Sequence, residues 1–122
     1  MNFDNFTIKS QEAIQKAVEI VRNHNEQSIE PVHLLKGILQ VGESLTSYLF
    51  HKLGVNAGLL NNQVDREIES LPKVNGGEPY LSREANDALQ KAIDYSNKLG
   101  DQFVALEAML MRSEEHTSEL QS

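Results

Sequence analysis

Apolar residues recur along this chain at helical spacing. Ala13, Ile14, Ala17, Val18 and Val21 fall on one side of a helix, and Gln11, Glu12, Gln15, Lys16, Glu19 and Arg22 take the other. Thr7 stands ahead of them as an N-cap, its hydroxyl able to accept from an orphan N–H of the first turn. The polar run from Asn23 to Ser28 stops this helix. Glu30-Pro31 opens a second, since proline's missing N–H falls among the donors a helix start leaves unpaired. Leu34, Leu35, Ile38 and Leu39 form its buried face, and it ends near Gly42. A third helix is predicted over residues 44–53, with Leu45, Tyr48, Leu49 and Leu53 inward and Gly54 as a left-handed stop. Asn56 caps a fourth, whose stripe is Leu60, Val64, Ile68 and Leu71, ended by Pro72. Residues 73–79 have turn residues and no periodicity, as a linker has. Ser82 caps a fifth helix, with Ala85, Ala88, Leu89, Ala92, Ile93 and Ser96 facing in and Gly100 at its end. A sixth opens at Leu106. Only Ile29 and Phe103-Val104 suggest extended backbone, so the predicted class is all-α.

The pattern repeats. Residues 13–19 return as residues 88–94 with each side chain of the same chemical type. At the same offset Thr7 aligns with Ser82, Gln27 with Gln102, Ile29 with Val104, and Leu34-Leu35 with Met109-Leu110. A duplicated unit follows: repeat one over 1–72, a linker over 73–80, and part of a second repeat over 81–111. Alanine at 13, 17, 88 and 92 lets helices approach closely, which suggests that the two copies of this helix pack near the pseudo-two-fold axis.

At 122 residues the chain is one domain or part of one. A net charge of −7, with only 11 scattered Lys and Arg, argues against nucleic acid, whose phosphates need clustered cations. Zero cysteines leave no disulfide or thiolate metal site and fit a reducing compartment. No signal peptide is evident, and no apolar run approaches the roughly 20 residues of a membrane helix. The expectation is a soluble, cytoplasmic domain that binds no membrane.

Chemistry is thinly represented. His24, His33, His51 and His116 have no metal-ligand spacing among them, and Gly76-Gly77 lacks the residues of a phosphate cradle. His33, in the first turn after Pro31, reads as a helix-start or packing residue. No nucleophile motif is present. No catalytic residue, metal or cofactor is therefore expected.

From Arg112 the character changes. Arg112-Ser113-Glu114-Glu115-His116-Thr117-Ser118-Glu119-Leu120-Gln121-Ser122 matches the in-frame translation of a sequencing-library adapter. Residues 112–122 are thus expected to be a non-native tail that abandons the helix begun at Leu106, leaving 1–111 as the genuine domain.

Five stretches together resemble the N-terminal domain of ClpB-type disaggregases in the Clp AAA+ chaperone family. They are Asn5-Phe6-Thr7, Ile29-Glu30-Pro31-Val32-His33-Leu34-Leu35, Leu53-Gly54-Val55-Asn56, Leu71-Pro72-Lys73-Val74 and Gly100-Asp101-Gln102-Phe103-Val104. Val32 departs from the commoner family pattern, which has Glu before the His; Glu107 holds that place in the second unit. The resemblance implies two four-helix repeats, the second incomplete here. It also implies a noncatalytic module, joined to ATPase modules in a homohexamer, that contacts unfolded or aggregated polypeptide. The family's substrate-linked positions fall on Thr7, Asp101 and Glu107, and its apolar groove on the surroundings of Leu89. Ala108 is smaller than the family's usual residue there and bears on groove depth. Each polar position also has a structural reading: Thr7 as N-cap, Asp101 as turn residue, Glu107 as first-turn carboxylate on the helix dipole. The rival reading is an adaptor-docking domain, as in ClpA and ClpC proteins. An autonomous enzyme would need a nucleophile–base pair that the sequence lacks.

Overall fold

Each long helix begins where the sequence offers an oxygen to its first turn. In the computed structural model, which describes residues 2–116 and side chains as far as Ser113, α1 (Ile8–Asn23) starts on Thr7, whose Oγ1 accepts from the Ser10 N–H at 3.1 Å. The fourth and fifth helices, α4 (Ala57–Ser70) and α5 (Arg83–Lys98), start likewise on Asn56 Oδ1 and Ser82 Oγ, at 3.0 and 2.9 Å. Between them lie α2 (Pro31–Val41), with proline at its first position, and α3 (Glu43–Leu53), stopped by Gly54 at φ 72°. The last helix described is α6 (Leu106–His116).

Two short strands join the repeats. β1 (Ser28–Ile29) pairs in parallel with β2 (Tyr80–Leu81), bringing Ile29 beside Leu81. An isolated parallel bridge joins Phe6 to Val104. These pairings are the same contact made twice, because Phe6 and Leu81, like Ile29 and Val104, are separated by the repeat offset. The hydrogen bonds agree: Thr7 N–H donates to the Val104 carbonyl and Ser82 N–H to the Ile29 carbonyl, both at 3.0 Å. Each repeat's first helix is therefore entered from a strand pairing with the other repeat. The apolar spots at Ile29 and Val104 are what the sequence offered for this, and the fold remains all-α apart from these pairs.

α2 is the hub. It packs against α1, α4 and α6, and Pro31, Val32, His33, Leu34, Leu35, Gly37, Ile38 and Leu39 are all buried. A helix surrounded in this way has little room for a polar face. The fifth helix presents Ala85, Ala88, Leu89, Ala92 and Ser96 to the core, largely against α6.

Three expectations need correction. The alanine-bearing helices α1 and α5 make little direct contact; the close approach is inside each repeat, and α2 with α6 packs across the pseudo-axis. A Cβ on Gly37 would lie 2.3 Å from the Ala13 carbonyl oxygen, so Ala13 and Gly37 together set the α1–α2 crossing. In α3 the buried residues are Thr46 and Phe50, with Leu45 and Leu49 half-buried, while Tyr48 and Leu53 are 58% and 73% exposed. This helix touches the rest mainly through α2, so only a narrow stripe is covered. Finally, the chain does not leave the helix at Arg112. α6 continues to His116, Ser113 is buried, and the Arg112 guanidinium lies 5.1 Å from the Tyr95 ring centre. Arg, Ser and Glu all tolerate helical backbone. Residues 117–122 of the expected tail lie outside the described residues.

Candidate functional site

The strand pairing before each repeat's first helix also shapes a groove. Thr7 N–H donates to the Val104 carbonyl, and Val104 N–H to the Asn5 carbonyl at 2.8 Å. Ser10 Oγ adds a buried bond to the same Val104 carbonyl at 3.0 Å. These bonds set the start of α1 beside the start of α6. The third wall is the corner between α2 and α3, where Gly42 serves as both C-cap and N-cap. A Cβ at Gly42 would meet Leu106 Cδ2 at 2.3 Å, so glycine lets Leu106 sit directly on the corner. The resulting groove, of about 680 Å³, runs between the repeats and is lined by Thr7, Ile8, Val41, Leu45, Leu106 and Glu107 together with Lys9, Gln40, Gly42, Glu43, Ser44 and Ala105.

Of the sequence-derived site residues, Thr7 and Glu107 come together here. The Thr7 hydroxyl donates to Ser10 Oγ at 2.9 Å and accepts from the Ser10 N–H. One lone pair is left to face a ligand. Glu107, in the first turn of α6, is exposed, and its charge is favoured by the helix dipole. Asp101 is exposed on the turn after Gly100, its N–H donating to the Ser96 carbonyl at 2.9 Å, and does not line the groove. Leu89 has no exposed surface and belongs to the core. Ala108 is also buried and lies away from the lining, so groove depth is set at Gly42 and Leu106. Sequence reading missed the Gly42 corner, Val41, Leu45 and Glu43. The available signal was a glycine between two helical patterns, with Val41 just before it and Leu45 three residues after.

A second polar centre is internal. His33 has no exposed surface; its Nδ1 accepts from the Glu30 N–H at 2.9 Å, which places the ring proton on Nε2, donating to Glu26 Oε1 at 2.7 Å. Lys73 Nζ donates to the other Glu26 oxygen, also at 2.7 Å. Burial pushes the His33 pKa below 6.5, opposed by the hydrogen bond and charge of Glu26. At the repeat offset, Asp101 stands where Glu26 does and Ala108 where His33 does. The second repeat therefore lacks this pair, and its carboxylate faces solvent.

With this architecture in view, similarity to known proteins is decisive. Residues 5–120 match the Clp repeat (R) N-terminal domain model. The chain belongs to that family. It is 58% identical over 111 residues to the chaperone protein ClpB of Bacteroides thetaiotaomicron, covering 91% of this chain and 13% of that protein. The ClpB of Porphyromonas gingivalis is 53% identical over the same length and shares of each chain. In fold it is similar to the Hsp104 N-terminal domain of Candida albicans, with a TM-score of 0.84 at 22% identity, over 97% of this chain and 78% of that one. The chain thus spans 13% of the length of these ClpB relatives. As a Clp N-terminal domain of the ClpB type, it has the helical repeat expected of it. No described helix is long and apolar enough to cross a membrane.

Proposed function

We propose that this domain is a noncatalytic binding module of a ClpB-like disaggregase, and that the groove between its repeats holds extended apolar stretches of unfolded or aggregated polypeptide. The supporting observation is the groove itself. Ile8, Val41 and Leu45 supply apolar surface over the buried Leu106, and Thr7 and Glu107 supply acceptors at its edge. Ile8 is 70% exposed at the helix start, an apolar side chain available to a partner. An extended peptide can place side chains on the apolar surface while its backbone N–H groups meet the acceptors. Few contacts of this kind give weak, permissive binding, which suits capture of many sequences. In the intact protein the module would deliver substrate to AAA+ ATPase modules of a homohexamer.

Amide shifts of the 122-residue chain titrated with an extended apolar peptide test this reading. The largest changes are expected at Thr7, Ile8, Gly42, Leu45 and Glu107. Shifts confined to the α3–α4 corner around Leu53 and Leu59 would refute the groove. Shifts produced only by a folded adaptor, and by no extended peptide, would favour docking in its place. Charged substitution at Leu89 is a poor probe of binding, because an unpaired charge at that fully buried position is expected to destabilise the domain itself.

A further inference from the structure

The groove contains a second carboxylate. Glu43 lies on the first turn of α3, next in sequence to Gly42, and Glu107 lies next to Leu106 on α6. Gly42 and Leu106 touch, so their acidic neighbours flank one point of contact between the repeats. Both carboxylates are exposed, and neither enters an ion pair within the described fold. The one cation in the lining, Lys9, is 3.6 Å from Glu12 on its own helix. Beside these charges Ile8, Val41 and Leu45 give apolar surface over a floor formed by the buried Leu106, with Gln40 and Ser44 adding polar groups to the same lining.

A wholly apolar segment laid here would cover the apolar surface but strip water from two carboxylates without replacing it. A segment carrying Lys or Arg beside its apolar residue would satisfy both kinds of surface. We infer that the groove selects polypeptide segments in which a cationic side chain accompanies an apolar one, with Glu43 as a specificity-determining residue that works with Glu107. This inference rests on the reading of the groove as a polypeptide site. The remaining Thr7 lone pair can accept from the same cation or from the peptide backbone.

Fluorescence anisotropy with the 122-residue chain tests the charge rule. Three labelled unstructured peptides share the same apolar residues and differ only in carrying Lys, Gln or Glu beside them. The Lys peptide is expected to bind about fivefold more tightly than the Gln peptide at low salt, since two exposed charge pairs are worth roughly that much. That preference should fade at about 0.5 M salt, where exposed charges are screened. Glu43→Gln, which leaves Glu107 in place, should cut the preference to about twofold, and Glu43→Lys should turn it toward the Glu peptide. Equal affinity of the wild-type chain for all three peptides, or full discrimination persisting in Glu43→Gln, would overturn the charge rule and leave the apolar groove standing. Failure of all three peptides to bind would overturn the groove reading itself.

Discussion

His33 is held by two hydrogen bonds that demand one neutral tautomer, and that demand has a pH signature. Protonation would put a second donor on Nδ1, facing the Glu30 N–H that now donates to it. The folded-state pKa lies below 6.5, so the unfolded chain takes up the proton first. The stability contributed by neutral His33 is fully present above pH 6.5 and is lost as pH falls toward the folded pKa, with a slope of at most about 1.4 kcal/mol per pH unit. Urea unfolding of the wild type and His33→Gln between pH 5 and 8 should show a shallower acid limb in the variant. Identical limbs would sink the assignment. The sequence made part of this legible: Pro31 before His33 and Leu34-Leu35 after it mark a helix start entering the core. Its partner's other contact was not legible, because Lys73 lies 47 residues from Glu26 and only folding brings them together. Thr7 and Ser82 were readable as caps because capping is local. Leu89 was readable as apolar, but nothing in its spacing distinguishes a groove wall from the interior.

Among elements, the α1–α2 pair shows most directly how one residue sets a crossing. A methyl group at Gly37 would press on the Ala13 carbonyl, backbone that cannot yield as a side-chain tip can. Gly37→Ala is expected to destabilise by about 2 kcal/mol, the overpacking cost exceeding the gain in helix propensity of about 1 kcal/mol. Gly58→Ala, where the nearest atom is Asn56 Oδ1 at 3.5 Å, is the control and should be neutral or slightly stabilising. Chemical denaturation of both variants decides. The repeat offset carries Gly37 to Arg112, so the α5–α6 pair has a long side chain where α1–α2 has none. That break in the repeat coincides with the start of the adapter-like string. The helices themselves were legible because their stripes are regular. α3 was misread on its inward face because a helix with one main neighbour buries a stripe narrower than its apolar pattern.

At the scale of the whole molecule, duplication was the most informative feature of the sequence, and it prefigured the reciprocal strand pairs. What it could not convey is that the groove forms where the repeats differ in role: the α2–α3 corner comes from one, and the α6 start from the other. The linker is also more than a spacer. Val74 N–H donates to the Asn25 carbonyl at 2.7 Å, Arg22 Nη2 reaches Glu78 Oε2 at 3.3 Å, and Lys73 anchors to Glu26. Repeat one thus holds the connecting segment along its own surface.

The reciprocal pairings have a topological consequence. Each bond that one repeat makes to the other could equally be made to the same repeat of a neighbouring chain, since nothing in Phe6↔Val104 or Ile29↔Leu81 records which molecule supplied the partner. What keeps the exchange within one molecule is the reach of residues 73–79. Deleting Asn75, Gly76 and Gly77 should therefore yield an intertwined dimer, detectable by light scattering, in which both pairings survive between chains. A shortened chain that stayed monomeric and folded would show that the connection has slack to spare.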